Sequence, residues 1–248
     1  MMLFEGIILG ILIGLVLGII GAGGAILAVP GLIAVMGLST VAATTSSLII
    51  VGAAAIAGFI PRIKTKNVDI SLGLTFSALG LLGTFAGTQL VKVVPESAQI
   101  ISFATLMLGA AFAMWRGPVN ASSAQVKSQW PLVFLVATAI GTLTGLLGVG
   151  GGFLIVPALV LILKVPTKTA AGTSLVAIAS TSLVAFLMRF EYWGEVPVGP
   201  VFAFTLAAIV SSFLAAPIAA KLNARTLQKG FAIFVTFAAA AVLASRGF

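Results

Sequence analysis

The chain has 248 residues, of which 60% are hydrophobic and only 7% are charged, and it contains no histidine or cysteine. Because soluble domains carry roughly 25% charged residues, this composition excludes a water-soluble globular protein and indicates an integral membrane protein. The missing histidine and cysteine also remove the usual ligands and bases of zinc sites, haem sites and Ser-His or thiol catalysis. We therefore expect a protein that is not an enzyme and has no cofactor or metal.

The net charge of +8 is better explained by basic loops facing an anionic membrane leaflet than by nucleic-acid binding. We therefore expect lipid as the partner, and no nucleic acid; the oligomeric state stays open. Long apolar segments separated by short charged loops predict an all-α polytopic membrane protein. In chain order these segments lie at about 3–36, 41–60, 70–91, 97–115, 131–163, 169–188, 197–220 and 226–245.

The first apolar segment is longer than one membrane crossing of about 20 residues but shorter than two. Its helical pattern is interrupted by GIIGAGGA at 18–25 and then by Pro30. The segment 131–163 is interrupted in the same way by GLLGVGGG at 145–152 and then by Pro157. Because glycine weakens helices and proline lacks a backbone donor, we expect a helix break or hinge in each segment. The simplest interpretation is a helical hairpin, fully spanning or re-entrant, with a glycine tip.

A polar stretch at 117–130 divides the chain into a first membrane repeat, 1–116, and a second, 131–248. Residues 14–62 align without gaps to residues 141–189, at an offset of 127, with 15 identical pairs among 49. This alignment indicates an internal duplication. The identical pairs include Gly14/Gly141, Gly18/Gly145, Pro30/Pro157, Ser47/Ser174 and Arg62/Arg189.

The basic residues test how the two repeats are oriented in the membrane. If each long segment enters and returns to the same side, ten of the 13 basic residues fall on one side, whereas single crossings give seven and six. The positive-inside rule therefore favours hairpins and makes the halves an inverted repeat, each with a glycine-broken hairpin and three further transmembrane helices. Both termini and the loop 190–196 then lie outside, and the linker 117–130 is cytoplasmic. Inverted repeats with interrupted helices are typical of secondary transporters.

The glycine tips are candidate anion sites, because a helix that begins in glycines offers free N–H groups and a positive dipole end. Small hydroxyl residues at the start of the next helix of each repeat can donate further hydrogen bonds. Close helix packing is the alternative interpretation, and it is preferred for Gly10, Gly14 and Gly18. The candidate substrate-binding residues are Gly21, Gly23, Gly24, Thr44, Thr45, Ser46, Ser47, Gly148, Gly150, Gly151, Gly152, Thr173 and Ser174.

Arg62 and Arg189 occupy equivalent positions, and inverted topology places one on each side of the membrane. They either snorkel to the interface or collect anions at the two mouths of a pathway. Apart from Glu5 near the start of the first segment, no Asp, Glu or His lies within a predicted span, so we do not expect a carboxylate proton relay. Coupling to Na⁺, coupling to protons carried on the substrate, and uncoupled flux all stay open.

The paired segments GIIGAGGAILAVPGL (18–32) and GLLGVGGGFLIVPAL (145–159) resemble the TauE/SafE family of sulfite exporters. So do the segments that follow them, TTSSL (44–48) and GTSLV (172–176). The resemblance implies a multi-pass transporter of a bacterial-type inner membrane that exports a sulfur-containing anion such as sulfite, sulfoacetate or another organosulfonate. We expect alternating access with the anion between the two glycine tips. A passive anion channel of the same architecture is the alternative. The two glycine tips are not identical, because Ala25 in the first copy stands where the second copy has Gly152.

Overall fold

Ten α-helices make up the computed structural model, which describes residues 2–90, 94–117, 130–147 and 152–244. A π-helical turn, Ala158–Ile162, continues α7, and a short 3₁₀ helix, Phe190–Glu195, follows α8. The α-helices are α1 Met2–Ile20, α2 Gly24–Met36, α3 Thr40–Lys64, α4 Ile70–Leu90, α5 Glu96–Arg116, α6 Trp130–Leu147, α7 Gly152–Pro157, α8 Thr167–Met188, α9 Val198–Lys221 and α10 Ala224–Ala244.

Four of these helices, α3, α4, α8 and α9, are long and apolar enough to cross a membrane. Shorter apolar helices lie within α1, α2, α5 and α6 and over Gly152–Ile162. The all-helical membrane architecture expected from the composition is confirmed. The division into two repeats stays a prediction, because most of its linker, residues 118–129, lies outside the described residues.

The helix break in the first repeat lies at the glycines. Gly21 and Gly23 have φ angles of +77° and +92°, a left-handed conformation that side-chain-bearing residues rarely adopt. After this break α2 runs back alongside α1. The closeness of the two helices is seen at Gly31, where an added Cβ would touch the side chain of Leu9. The sequence led us to expect a helix break or hinge at Pro30. The helix does not end there, because α2 continues through Pro30 to Met36.

In the second repeat, residues 148–151 lie outside the described residues, so the corresponding glycine tip has no structural account. Beyond them, α7 ends at Pro157 and the chain changes to the π-helical turn. A proline cannot donate the backbone bond that would continue a regular helix, which is consistent with a change of helix type at this position.

Glycines hold α1 against α9. A Cβ on Gly14 would collide with the carbonyl of Ala208, and one on Gly18 would lie 2.5 Å from the carbonyl oxygen of Ser212. Successive α1 glycines therefore meet successive residues of α9, so the two helices run parallel. This geometry fits the packing interpretation of the glycine stripe on α1.

The same arrangement joins α6 to α4. A Cβ on Gly141 would collide with the carbonyl of Gly80, and one on Gly145 would collide with the carbonyl of Thr84. These two helices also run parallel. Each of the two contacts pairs a helix of one repeat with a helix of the other.

At the centre of the bundle, α3 and α8 cross in opposite directions. A Cβ on Gly52 would lie 3.1 Å from the Cβ of Ser182, and one on Gly58 would lie 3.2 Å from Leu175. These two helices are more enclosed by the rest of the protein than α4 or α9. The centre therefore brings together the two helices that follow the glycine-broken segments.

Candidate functional site

A cavity of about 400 Å³ lies between α3, α4, α6, α7 and α8. It occupies the end of the bundle where α3 begins and where α4 and α8 end, as shown by Thr44, Thr88 and Arg189 in its wall. Most of the wall is apolar, with side chains such as Val51, Phe76 and Ile155. Its volume falls in the range of small-molecule sites, roughly 300–1,000 Å³.

The polar part of the wall consists mainly of hydroxyl side chains. Most of them donate their proton to a carbonyl of their own helix: Thr44 to Thr40 at 2.6 Å, for example, and Thr144 to Ile140 at 2.7 Å. Because a hydroxyl has only one proton, these oxygens offer lone pairs alone to the cavity. The hydroxyl residues of the wall are Thr44, Ser47, Ser77, Thr84, Thr88, Thr144, Thr181 and Ser182.

Two wall serines differ from the other hydroxyls. Ser77 and Ser182 make no hydrogen bond to any of the described residues, although only 4% and 7% of their surfaces are exposed. Their protons are therefore free to point into the cavity. In an apolar wall, such donors favour a ligand with strong acceptor atoms.

Arg189 is the single charged side chain of the cavity wall within the part of the chain that the structure describes. Its guanidinium donates no hydrogen bond to a described residue, and it forms no ion pair there with Glu191 or Glu195 of the neighbouring 3₁₀ helix. The described part of the cavity wall thus carries a positive charge that no described residue neutralises. This electrostatic setting attracts an anion.

The structure brings some of the sequence-predicted residues into this cavity and places others elsewhere. Thr44, Ser47, Gly152 and Arg189 line it. The three described glycines of the first tip do not, because they are buried in packing contacts. In chain order, Gly21 packs on the carbonyl of Ala171, Gly23 on the ring of Phe234 and Gly24 on Leu17.

The remaining predicted hydroxyl residues are buried outside the cavity wall. Thr45 donates to the carbonyl of its own helix, and the Ser46 hydroxyl has no partner. Thr173 accepts a hydrogen bond from the backbone N–H of Asp69 at 3.0 Å, and Ser174 donates to the carbonyl of Gly21 at 2.6 Å. The three remaining predicted glycines, Gly148, Gly150 and Gly151, lie outside the described residues.

Arg62 lies in a different setting from its counterpart Arg189. It is only 4% exposed, and its Nη2 donates to the carbonyl oxygens of Gly18 at 2.5 Å and Ile19 at 3.2 Å. These carbonyls belong to the last turn of α1, where the helix dipole is negative. Arg62 therefore caps the broken helix. It lies at the end of the bundle opposite the cavity, which also carries Lys168 and Lys221 and is called the basic face below.

The polar cavity-lining residues that sequence reasoning missed lie chiefly on α4. Ser77, Gly80, Thr84 and Thr88 follow one another at helical spacing and all line the cavity. This spacing marks one polar face of an otherwise apolar helix, and it is the signal that could have found them. No group of three or more His, Cys, Asp and Glu that could hold a metal occurs among the described residues.

Comparison with known proteins bears on the function of this cavity. Residues 6–242 match the protein family described as Sulfite exporter TauE/SafE. A probable membrane transporter protein of Xylella fastidiosa (strain 9a5c) is 33% identical over 183 residues, covering 72% of this chain and 70% of the relative. The probable membrane transporter protein YunE of Bacillus subtilis is 28% identical over 205 residues, covering 71% and 74%. No solved structure matches the chain.

Proposed function

The chain belongs to the sulfite exporter TauE/SafE family of membrane transporters, and we propose that it exports a small sulfur-containing anion by alternating access. Sulfite, sulfoacetate and other organosulfonates are the candidate substrates, and a bacterial-type inner membrane is the proposed location. The substrate binds in the cavity beside α4 and α8. This differs from the site expected between the glycine tips, because the described glycines of the first tip are in packing contacts.

The observation that carries the proposal is the combination of donors in the cavity. Arg189 supplies a positive charge without a protein counter-ion, and Ser77 and Ser182 supply hydroxyl protons that are free of other bonds. A sulfite or sulfonate group offers three oxygen acceptors and a negative charge. Charge-assisted hydrogen bonds of this kind are worth roughly 1.5–3 kcal/mol each, enough to select an oxyanion over a neutral solute.

The helix contacts support an inverted repeat. The offset of 127 relates α1 to α6, and α1 packs on α9 in the parallel sense in which α6 packs on α4. The central helices α3 and α8, which the same offset relates, cross antiparallel. An exchange of the two halves that inverts their direction would produce all three features.

The closed basic face supports a carrier rather than a passive channel. At that end Ser174 binds the carbonyl of Gly21, and Gly172 packs on the carbonyl of Asn67. We infer that the cavity is accessible from the end at Arg189 and closed at the basic face. A carrier alternates between two such arrangements, whereas a conducting channel keeps a continuous path.

Uptake of labelled sulfite into proteoliposomes tests the proposal. We expect saturable flux with counterflow, and we expect Ser77→Ala combined with Ser182→Ala to raise the KM for sulfite by about a hundredfold or more, as expected for losing two such bonds, roughly 3 kcal/mol of binding. The matched control is Thr144→Val, whose hydroxyl lines the same cavity but donates to Ile140. This variant should change KM far less.

Three results would contradict the proposal. No saturable flux of any sulfur oxyanion would remove the substrate class. Single-channel conductance without counterflow would replace the carrier by a channel. An equal effect of Thr144→Val and of the serine pair would remove the specific role of the free hydroxyl donors.

A further inference from the structure

A small second cavity lies at the basic face, far along α3 from the first. Its volume is about 10 Å³, room for roughly one water molecule. The loop residue Asn67 meets residues of α3, α8, α9 and α10 around it. The lining residues are Arg62, Asn67, Lys168, Ala219, Ala220 and Leu227.

Two positively charged side chains, and no negatively charged one, are among the described residues that line this small cavity. Arg62 is 4% exposed and donates to backbone carbonyls of α1, and Lys168 Nζ donates to the carbonyl of Ala220 at 2.7 Å. Neither forms an ion pair with a carboxylate among the described residues.

The Nε of Arg62 is also buried without any hydrogen-bond partner. An unpaired charge and an unpaired donor inside a membrane protein are costly, so their presence calls for a partner that the described residues do not supply. A small anion supplies both the missing charge and the missing acceptor.

The two repeats show this arrangement in two forms. In the first, Arg62 is bound to the carbonyl of Gly18. In the second, the equivalent Arg189 and Gly145 are not bonded to each other and both line the large cavity. The two equivalent arginines thus stand in different settings in the same chain, one capping α1 and one in the wall of the large cavity.

We propose that Arg62 and Lys168 form a second oxyanion-binding site at the basic face, closed in this structure and open in the opposite state of the transport cycle. The inference rests on the proposed function and names a further part of its pathway. When the contact between Arg62 and Gly18 separates, the guanidinium and the Lys168 ammonium bind the same sulfur oxyanion that Arg189 binds at the other end. Lys168 is the new residue of this site, because its position has no basic counterpart in the first repeat, where Val41 occupies it.

Lys168→Gln is the variant that tests this site, and Lys221→Gln is its matched control. Lys221 is an exposed lysine of the same face, next to Ala220 in the chain, and it does not line the small cavity. Arg62→Gln is less suitable alone, because losing the cap of α1 can prevent folding. Arg62→Gln is therefore measured together with a second variant, Arg62→Lys, which keeps the positive charge.

The first measurement is the KM for labelled sulfite offered to one side of oriented proteoliposomes. We expect Lys168→Gln to raise the KM at the basic face about tenfold and to leave the KM at the opposite face within twofold of wild type. The second is the rise in Tm that sulfite produces in detergent, with chloride at equal ionic strength as reference. We expect Lys168→Gln to reduce that rise and Lys221→Gln to retain it.

The outcomes separate this inference from the proposed function. If wild type shows no saturable sulfite flux, the proposed function fails, and the sulfite-dependent Tm still decides whether Lys168 takes part in anion binding. If wild-type flux saturates but Lys168→Gln matches Lys221→Gln in both measurements, the second site is overturned and the proposed function stands. Equal rises of KM at both faces would also overturn it, since a site at one face cannot act equally on both.

Discussion

The Ser174 hydroxyl donates a hydrogen bond of 2.6 Å to the carbonyl oxygen of Gly21, tying the break between α1 and α2 to the start of α8. Ser174 also donates to Ala171 in its own helix, as the equivalent Ser47 does to Thr44, and Ser47 lines the large cavity. Ser174 thus links α8 to the glycine break at the basic face, whereas Gly148, the equivalent of Gly21, lies outside the described residues.

Ser174→Ala should lower the stability of the protein, because it leaves the carbonyl of Gly21 without this buried partner. The expected loss is about 1 kcal/mol, seen as a lower Tm in detergent. Ser46→Ala is the control, since the Ser46 hydroxyl is buried without a partner and its removal should be neutral or stabilising. A larger loss in Ser46→Ala than in Ser174→Ala would contradict the hydrogen-bond assignment.

Gly14→Ala should destabilise the contact between α1 and α9, because the added Cβ collides with the backbone of Ala208. Overpacking of this kind costs typically about 1–3 kcal/mol. Gly109→Ala serves for comparison, because Gly109 is exposed on α5 with open space around it, and alanine there should raise helix stability by up to about 1 kcal/mol. Thermal unfolding of both variants checks the opposite signs; a shift of the same sign would refute the packing role.

Ala185→Trp should abolish sulfite flux while leaving Tm nearly unchanged, because the indole would fill the cavity that Ala185 lines. Leu183→Trp places the same ring two residues earlier on α8, where Leu183 is 58% exposed on the outer surface. Flux in that variant should stay close to wild type. Normal flux in Ala185→Trp would show that substrate does not pass through this cavity.

Arg189→Gln should raise the KM for sulfite about tenfold, because it removes the single charge of the described cavity wall. Arg189→Lys should fall between it and wild type, since lysine keeps the charge but not the planar arrangement of donors. Raising the salt concentration should narrow the difference between wild type and Arg189→Gln through screening. Arg225→Gln, an exposed change outside the cavity, is the reference, and an equal effect there would indicate only general surface charge.

Cysteine labelling tests the inverted arrangement directly, because the natural chain contains no cysteine. Two variants each place one thiol at an exposed position. Thr65→Cys lies beside Arg62, and Gly194→Cys lies in the 3₁₀ helix after Arg189. An impermeant maleimide applied to sealed vesicles of known orientation should reach these two positions from opposite sides. Labelling of both from the same side would rule out inverted repeats.

The all-helical membrane architecture followed from composition and segment length, because a chain with so little charge has no other way to satisfy its backbone in lipid. The position of the first break was also predictable, since only glycine readily adopts the φ angles seen at Gly21 and Gly23. Pro30 misled the prediction, because a proline can remain inside a membrane helix when its surroundings compensate for the missing donor.

The details of the site depend on tertiary contacts that no local pattern contains. The sequence marked Arg62 and Arg189 as equivalent, yet only the fold shows that one is buried against Gly18 while the other lines an open cavity. Ser77 and Ser182 lie in apolar helices where hydroxyl residues commonly serve packing. Their free protons become apparent only once the hydrogen bonds of the neighbouring hydroxyls are known.

The pairing of α1 with α9 and of α4 with α6 has a consequence for biogenesis. The ribosome releases α1 first, but the surface that receives its glycines belongs to α9, which is made only after α8. The glycine surface of α1 therefore has no α9 to pack against until the second half of the chain has been inserted into the membrane. In the described structure, the glycines of α1 and of α6 are thus buried against a helix of the other half of the chain.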